Sequence, residues 1–339
     1  MKKIRVGING AGRIGRAFMR IAHRRKEIEI VAVNDLADIN TIAYLLKYDS
    51  AYGVLDREIS VTSPQSFQFD GNSIQYLQER DPEKLPWKDL DIDVIVEATG
   101  HFTSFEKSQA HINAGAKRVV ITAPVKEDQG GATVLMGVNH ELLASCKISS
   151  NASCTTNAGS PLLKILDQGI GIEKAVLNTV HGYTASQSLV DSPVEKDMRR
   201  GRAAAVNIIP SSTGAAIATT KALTSLAGNF DGVALRVPVI AGSIADITFV
   251  SKRDTSVEEV NKLLSDAAQG EAWKNIFSVT DEALVSSDIL GKPFAAIADL
   301  SFTRVVGGNL VKVLSWYDNE AGYTHSLLQH VAEAGKYTA

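Results

Sequence analysis

Lys3-Ile4-Arg5-Val6-Gly7-Ile8-Asn9-Gly10-Ala11-Gly12-Arg13-Ile14-Gly15 is the stretch on which the fold turns. Ile4, Val6 and Ile8 alternate with Arg5 and Gly7, the two-residue period of a strand. Ile14, Phe18 and Ile21 then recur at helical spacing, so Gly10, Gly12 and Gly15 sit between a strand and a helix. In that setting each glycine has a physical task. Gly10 permits the tight turn, Gly12 lets the backbone approach a pyrophosphate, and Gly15 lets helix and strand pack closely. The unpaired N–H groups of the helix start, with Arg13 and Ile14 in its first turn, form the cradle for phosphate.

Working outward, a second strand over Ile28–Asn34 ends at Asp35, 20 positions after Gly15. A carboxylate there accepts from the adenosine ribose hydroxyls and repels a 2′-phosphate, which predicts NAD rather than NADP. Asp93–Gly100 and Arg118–Pro124 read as buried parallel strands, with a helix over Ser108–Ala116 between them. Strand and helix keep alternating, so the expected architecture is α/β, a doubly wound parallel sheet. Thr99 and Gly100 stand at the C-terminal end of one strand, where such sheets bind ligands, and Thr122 in the next strand joins them as a candidate.

The bulk properties exclude several classes. A chain of 339 residues is long for one core and predicts two domains. A formal charge of -3 argues against a nucleic-acid protein, though not against a local basic patch. No apolar run nears the roughly 20 residues that cross a bilayer, and no signal-like stretch precedes the first strand, which predicts a cytoplasmic protein. Cys146 and Cys154 are the two cysteines; with no CxxC pair and no histidine cluster at ligand spacing, no metal is expected.

Ser150-Asn151-Ala152-Ser153-Cys154-Thr155-Thr156-Asn157 precedes an apolar helical pattern at Leu162, Leu163, Ile165 and Leu166. Its Ser, Thr and Asn residues are N-cap types, so Cys154 is expected at a helix start. There the helix N-terminus lowers a thiol pKa and makes the sulfur nucleophilic near neutral pH. Cys146, in a connecting stretch, reads as an ordinary thiol. A thiolate that attacks a carbonyl needs a proton-transfer partner. His181, which ends the strand-like run Ala175–Val180, is the candidate; His23, His111, His140 and His330 are expected on helix or loop surfaces.

With these residues in hand the chain resembles the phosphorylating glyceraldehyde-3-phosphate dehydrogenases over essentially its whole length. The residues SNASCTTN at 150–157 match that family's active-site signature. GINGAGRIG at 7–15, LLKYDS at 45–50, TVHGYTASQ at 179–187, the block Arg199–Ala216, Arg236-Val237-Pro238 and Trp316–Glu320 follow in the family's order. The resemblance implies that Cys154 is the nucleophile and His181 its acid–base partner. It implies Thr184 and Arg236 for the substrate's own phosphate, and Ser153, Thr155, Thr213 and Gly214 for inorganic phosphate. Asn319 would hold the nicotinamide carboxamide, with Tyr323 beside it. The implied reaction oxidises glyceraldehyde 3-phosphate with NAD and inorganic phosphate through a Cys154 thioester, in glycolysis and gluconeogenesis.

The same resemblance implies a Rossmann-type NAD-binding domain over 1–153, with the C-terminal helix 320–339 returning to it. An α+β catalytic domain with a mixed sheet would fill 154–319. In the family the loop from Thr184 to Val206, basic at Arg199, Arg200 and Arg202, reaches a neighbouring subunit in a homotetramer. The chain departs from the family at a few positions: Ala158 replaces a frequent second cysteine, and Gly182 stands where alanine or serine is usual. Erythrose-4-phosphate dehydrogenase, which shares most motifs, and a nucleotide-binding protein without catalysis are the alternative readings.

Overall fold

The computed structural model describes residues 3–195 and 197–338. It divides into two units, Met1–Ala152 with Leu327–Ala339, and Ser153–Ser326. Met1, Lys2, Lys196 and Ala339, which fall in the predicted domain ranges and basic loop, lie outside the described residues.

In the first unit the opening strand β1 (Ile4–Asn9) leads into α1 (Arg13–Ala22) and β2 (Ile28–Asn34). Then follow α2 (Ile39–Lys47), a two-residue pair β3 (Tyr48–Asp49) and β4 (Gly53–Val54), and the strands β5 (Ile59–Ser63), β6 (Ser66–Phe69) and β7 (Asn72–Leu77). The unit continues with β8 (Val94–Glu97), α3 (Phe105–Asn113), β9 (Arg118–Ile121), β10 (Ala132–Thr133) and β11 (Ile148–Ser150). Nine strands form one sheet in the order β10-β11-β9-β8-β1-β2-β7-β6-β5, parallel except for the β7-β6-β5 edge. From β1 the chain moves to β2 on one side, and from β8 to β9 on the other, so the winding reverses at the β1–β8 pair. The crevice at a doubly wound sheet's switch point therefore opens beyond Asn9 and Glu97.

Side-chain capping explains where several elements depart from the expected bounds. The strand after Asp93 stops at Glu97 because Thr99 turns back and donates its backbone N–H to the Glu97 carboxylate at 2.9 Å. The next helix starts at Phe105, ahead of the expected Ser108, because Ser104 Oγ accepts the Lys107 N–H at 3.0 Å.

Two histidines expected on surfaces are fully buried instead, and the reason is hydrogen bonding. His111 receives the Trp87 indole N–H on Nδ1 at 3.0 Å and faces Glu97 with Nε2 at 3.0 Å. His330 sits with Nε2 at 2.8 Å from Ser149 Oγ and Nδ1 at 3.0 Å from Asn151 Oδ1. With both ring nitrogens partnered, burial carries no desolvated polar group. His23 and His140 are half-buried.

The second unit holds α4 (Cys154–Ile170), β12 (Ile172–Gly182), β13 (Ile209–Ser212), α5 (Ala215–Ala222), β14 (Phe230–Val237) and β15 (Ser243–Ser251). It continues with α6 (Val257–Ala268), β16 (Phe277–Thr280), β17 (Ala296–Val306) and β18 (Leu310–Tyr317), and α7 (Ala321–Gly335) begins in it. Its seven-stranded sheet, β13-β14-β12-β15-β18-β17-β16, is mixed: β12–β14 and β16–β17 pair parallel, the rest antiparallel. Along β15 buried and half-buried residues alternate strictly, so one side of the sheet carries the core. No helix among the described residues is long and apolar enough to cross a membrane.

Candidate active site

Cys154 is the first residue of α4. Ser153 is the N-cap: its Oγ accepts the Thr156 N–H at 3.1 Å and lies 2.7 Å from Thr156 Oγ1. The preceding Ala152 has a φ of 54°, a left-handed conformation that a residue with a Cβ seldom adopts. Such strain persists where the surroundings over-determine it, and it gathers at functional sites.

His181 lies near the end of β12, buried, with Nε2 3.3 Å from Cys154 Sγ. Tyr317 stands edge-on to its ring, with centroids 5.8 Å apart. The Tyr317 hydroxyl is bracketed by Thr155 Oγ1 at 2.9 Å and Thr179 Oγ1 at 2.7 Å, which ties α4, β12 and β18 together behind the sulfur. Arg236 on β14 is in register with His181 and brings Nη1 within 2.7 Å of His181 Nδ1. The sequence thus places Cys154, Thr155, His181 and Arg236 in one cluster.

The charge states differ from the simple helix-terminus expectation. Burial pushes the Cys154 thiol up from its ordinary value, outweighing the downward pull of Arg236, of Thr155 and of the first-turn N–H groups. Burial, then the Arg236 charge, pushes His181 down to about 3, against the pull of the Gly182 carbonyl. Burial likewise lowers Arg236.

The second unit carries further groups suited to anions. Thr184, just beyond β12, has its hydroxyl 2.9 Å from Ser186 Oγ. Thr213 Oγ1 accepts the Ala215 N–H at 3.2 Å, and Gly214 caps α5 with open space where a Cβ would stand. Arg200 was legible only as part of a basic loop; here it donates to Ser211 Oγ through Nε at 2.9 Å and Nη2 at 2.7 Å, and its charge is felt at Arg236. Asn319 is buried, and its Oδ1 accepts the Gly242 N–H at 3.1 Å and the Ser243 hydroxyl at 2.9 Å. That leaves its amide N–H2 as the donor for a ligand. Ser243 Oγ in turn accepts the Gly182 N–H at 3.2 Å, linking Asn319 to the strand that carries His181. Tyr323 is buried two residues into α7. A Cβ on Gly182 would meet Val239 O at 3.0 Å, which accounts for glycine there.

In the first unit, Asn9, Gly10, Gly12, Asn34, Asp35, Leu36, Thr99 and their neighbours line a cavity of about 330 Å³. Gly10 has a φ of 98°, and a Cβ there would lie 2.7 Å from the backbone at Ala98 and Thr99. A Cβ on Gly15 would fall 2.0 Å from Gly10 O, whereas Gly12 faces open space. A phosphate group can therefore approach the chain at Gly12. Asp35 lies in this wall and accepts the Ala11 N–H at 2.7 Å and the Ala37 N–H at 2.9 Å. Gly100 has a φ of 73° with open space beside it, and Thr122 donates its N–H to Glu97 O at 3.0 Å. Ile14 is half-buried in α1, and Arg13 is turned to Asp49 at 2.7 Å. The cavity's acid, open glycine and helix N-terminus fit a dinucleotide.

Among the described residues no group of three or more His, Cys, Asp or Glu side chains could hold a metal. Residues 4–105 match the family model described as glyceraldehyde 3-phosphate dehydrogenase, NAD binding domain, and residues 153–319 match that family's C-terminal domain. The chain is 47% identical over 328 residues to a glyceraldehyde-3-phosphate dehydrogenase of Streptomyces coelicolor, covering 96% of each chain. It is 45% identical over 331 residues to that of Geobacillus stearothermophilus, covering 97% of each. The corresponding protein of Mycobacterium avium is 46% identical over 340 residues, covering 98% of this chain and 99% of that one.

Proposed function

The chain belongs to the glyceraldehyde 3-phosphate dehydrogenase family, and from that premise we propose its reaction: oxidation of glyceraldehyde 3-phosphate, with inorganic phosphate, to 1,3-bisphosphoglycerate. The observation that carries this reading is the Cys154–His181 contact at 3.3 Å, inside the SNASCTTN signature and at a helix start. NAD is the cofactor, and when bound it supplies the acceptor for hydride.

Cys154 Sγ adds to the aldehyde carbon while His181 Nε2 takes the thiol proton and passes it to the former carbonyl oxygen, giving a hemithioacetal and a neutral imidazole again. His181 then receives the hydroxyl proton as that carbon is oxidised to the thioester. Inorganic phosphate opens the thioester and releases the acyl phosphate, and Cys154 regains its proton from His181. Arg236 and Thr184 hold the substrate's own phosphate; Ser153, Thr155, Thr213 and Gly214 hold the attacking one. Hydroxyls, N–H groups and one guanidinium suit a dianion. In the first unit Gly10, Gly12, Arg13, Ile14, Gly15, Asp35, Thr99, Gly100 and Thr122 would hold the nucleotide; in the second, Asn319, with Tyr323 near it in the chain, would donate to a carboxamide.

The working form is a homotetramer. Support comes from apolar side chains left exposed on the seven-stranded sheet at Val176, Val233 and Leu310, and along the loop at Leu189, Val190 and Met198. The cytoplasm is the compartment that suits two free thiols.

NADH formation with glyceraldehyde 3-phosphate and with erythrose 4-phosphate, each with and without phosphate, tests the reading. Fast, phosphate-dependent turnover of the triose phosphate is expected. Preference for the tetrose, or repeated turnover without phosphate, would overturn the assigned substrate or acyl acceptor.

A further inference from the structure

A second imidazole is buried against the SNASCTTN segment, and no step of the reaction uses it. His330 on α7 is fully buried, and burial pushes it down to about 3, so in the neutral range its ring carries one proton. Asn151 Oδ1, 3.0 Å from Nδ1, can only accept, which places that proton on Nδ1. Nε2 is then bare and accepts the Ser149 hydroxyl at 2.8 Å. The ring is a fixed bridge from α7 to two residues of the stretch that runs into Ala152.

That stretch ends in a strained residue. Ala152 has a φ of 54°, in the left-handed region that a Cβ disfavours. Bonds on either side hold it there. The Asn151 N–H donates to Ile121 O at 3.0 Å, the Ser150 hydroxyl donates to Ala123 O at 2.6 Å, and Ser150 Oγ accepts the Ala152 N–H at 3.0 Å. These fasten the backbone of the turn. His330 fastens the Asn151 side chain as well, so Asn151 is held at two points and the peptide leading to Ala152 has little room to rotate. Ser149, Ser150, Asn151 and Ala152 are all buried, so bulk water does not compete for these bonds. Ser153, the N-cap of α4, and Cys154 follow directly in the chain.

We infer that His330 is a positioning residue for the nucleophile: through Asn151 it holds Ala152 left-handed, the conformation from which the chain enters Ser153 and Cys154. The inference rests on the reading of Cys154 as the nucleophile. A neutral imidazole from the C-terminal helix then supports a backbone conformation rather than a charge, and acts on the chemical step without touching substrate or cofactor. Neither His330 nor any residue from 149 to 152 lines the nucleotide cavity, so cofactor affinity should not follow the rate.

The burst of NADH from glyceraldehyde 3-phosphate and saturating NAD, without inorganic phosphate, stops at the Cys154 thioester and isolates that step. His330→Leu should slow the burst roughly tenfold, the scale set by the cost of a left-handed residue that carries a Cβ, with the Kd for NAD unchanged. His330→Asn puts an amide N–H near the place of Nδ1 and should restore most of the rate. His330→Gln reaches the place of Nε2 and should not. Ser149→Ala removes only the other partner and should burst like the wild type. Glycine adopts a positive φ without penalty, so in an Ala152→Gly background His330→Leu should cost at most about twofold.

A wild-type burst rate in His330→Leu overturns the inference. So does an equal loss in the Ala152→Gly background, which would mean that the ring acts by packing alone, or a weakening of NAD binding that matches the loss of rate. Should His330→Leu fail to fold by circular dichroism, His330→Asn against His330→Gln decides, and equal rates overturn the inference. A wild-type chain that gives no NADH burst removes the reading of Cys154 and this inference with it; a wild-type burst that the variants share removes the inference alone.

Discussion

Glu97→Gln, a change of one atom in shape, should damage the nucleotide site severely. Glu97 Oε1 accepts the Thr99 backbone N–H at 2.9 Å and also the Thr99 hydroxyl. Oε2 accepts Asn9 Nδ2 at 2.6 Å and lies 3.0 Å from His111 Nε2. Each side includes a donor that cannot reverse. Trp87 donates to His111 Nδ1, so the imidazole proton must sit on Nε2; Asn9 Oδ1 already accepts from Asn34 at 2.7 Å, so that amide cannot turn over. A glutamine must therefore aim its N–H2 either at the Thr99 N–H or at Asn9 and His111. The first is the lesser evil, because the Thr99 hydroxyl can become an acceptor. It still loses one bond to a charged group, worth about 1.5–3 kcal/mol, and leaves a buried N–H unpaired at about 1–3 kcal/mol. The expected total is on the order of 3 kcal/mol. Because Thr99 and Asn9 line the cavity, a tenfold or greater weakening of NAD binding should accompany it, tenfold being about 1.4 kcal/mol. Denaturant melts and NAD titration monitored by fluorescence read both effects. Wild-type stability together with wild-type NAD affinity would refute the reasoning.

Other consequences can be measured directly. His181→Asn should lower kcat/KM by about a hundred- to ten-thousandfold, the usual scale of a positioned acid–base group; near-normal turnover in a steady-state assay would sink that role. Gly15→Ala drives a Cβ to 2.0 Å from Gly10 O, a backbone atom that cannot swing aside, so a loss of at least ~1–3 kcal/mol is expected in thermal melts along with weakened NAD binding. Burial pushes both His181 and His330 down to about 3. In the unfolded chain they titrate near their ordinary value, so stability is full above about pH 6.5 and falls as pH drops towards 3. Each can contribute up to ~1.4 kcal/mol per pH unit within that window, and denaturant melts between pH 7.5 and 5 should show a falling acid limb. A flat limb would mean these rings are not held neutral.

How much of this was readable in the chain depends on whether the signal is local. Gly10, Gly12 and Gly15 between a period-two and a helical pattern are a local signal, and β1, α1 and β2 formed where the pattern put them. Ser153 before Cys154 is local too, since an N-cap acts within three residues. Fully buried strands such as β8 and β9 carry no alternation, so their ends were set by what the next side chains did, as Thr99 did to Glu97. The buried histidines escaped a local reading altogether. Trp87, Glu97 and His111 lie in separate elements, and only the fold makes them a hydrogen-bonded chain. Tyr317 and Arg200 escaped for the same reason: each matters through partners in other elements.

The charge state of Cys154 shows most clearly why a local rule was not enough. A helix start favours a thiolate through its free N–H groups and its dipole. Here α4 delivers the sulfur to a place where the charged form is desolvated, and burial outweighs the favourable groups. The neighbouring imidazole is held neutral by the same burial and by Arg236. A thiolate–imidazolium pair formed in that site would gain mutual attraction at close range while placing a second cation against Arg236. That attraction and that repulsion oppose each other, so the state of the pair is set by groups brought together from one helix and three strands, which no reading of SNASCTTN alone contains.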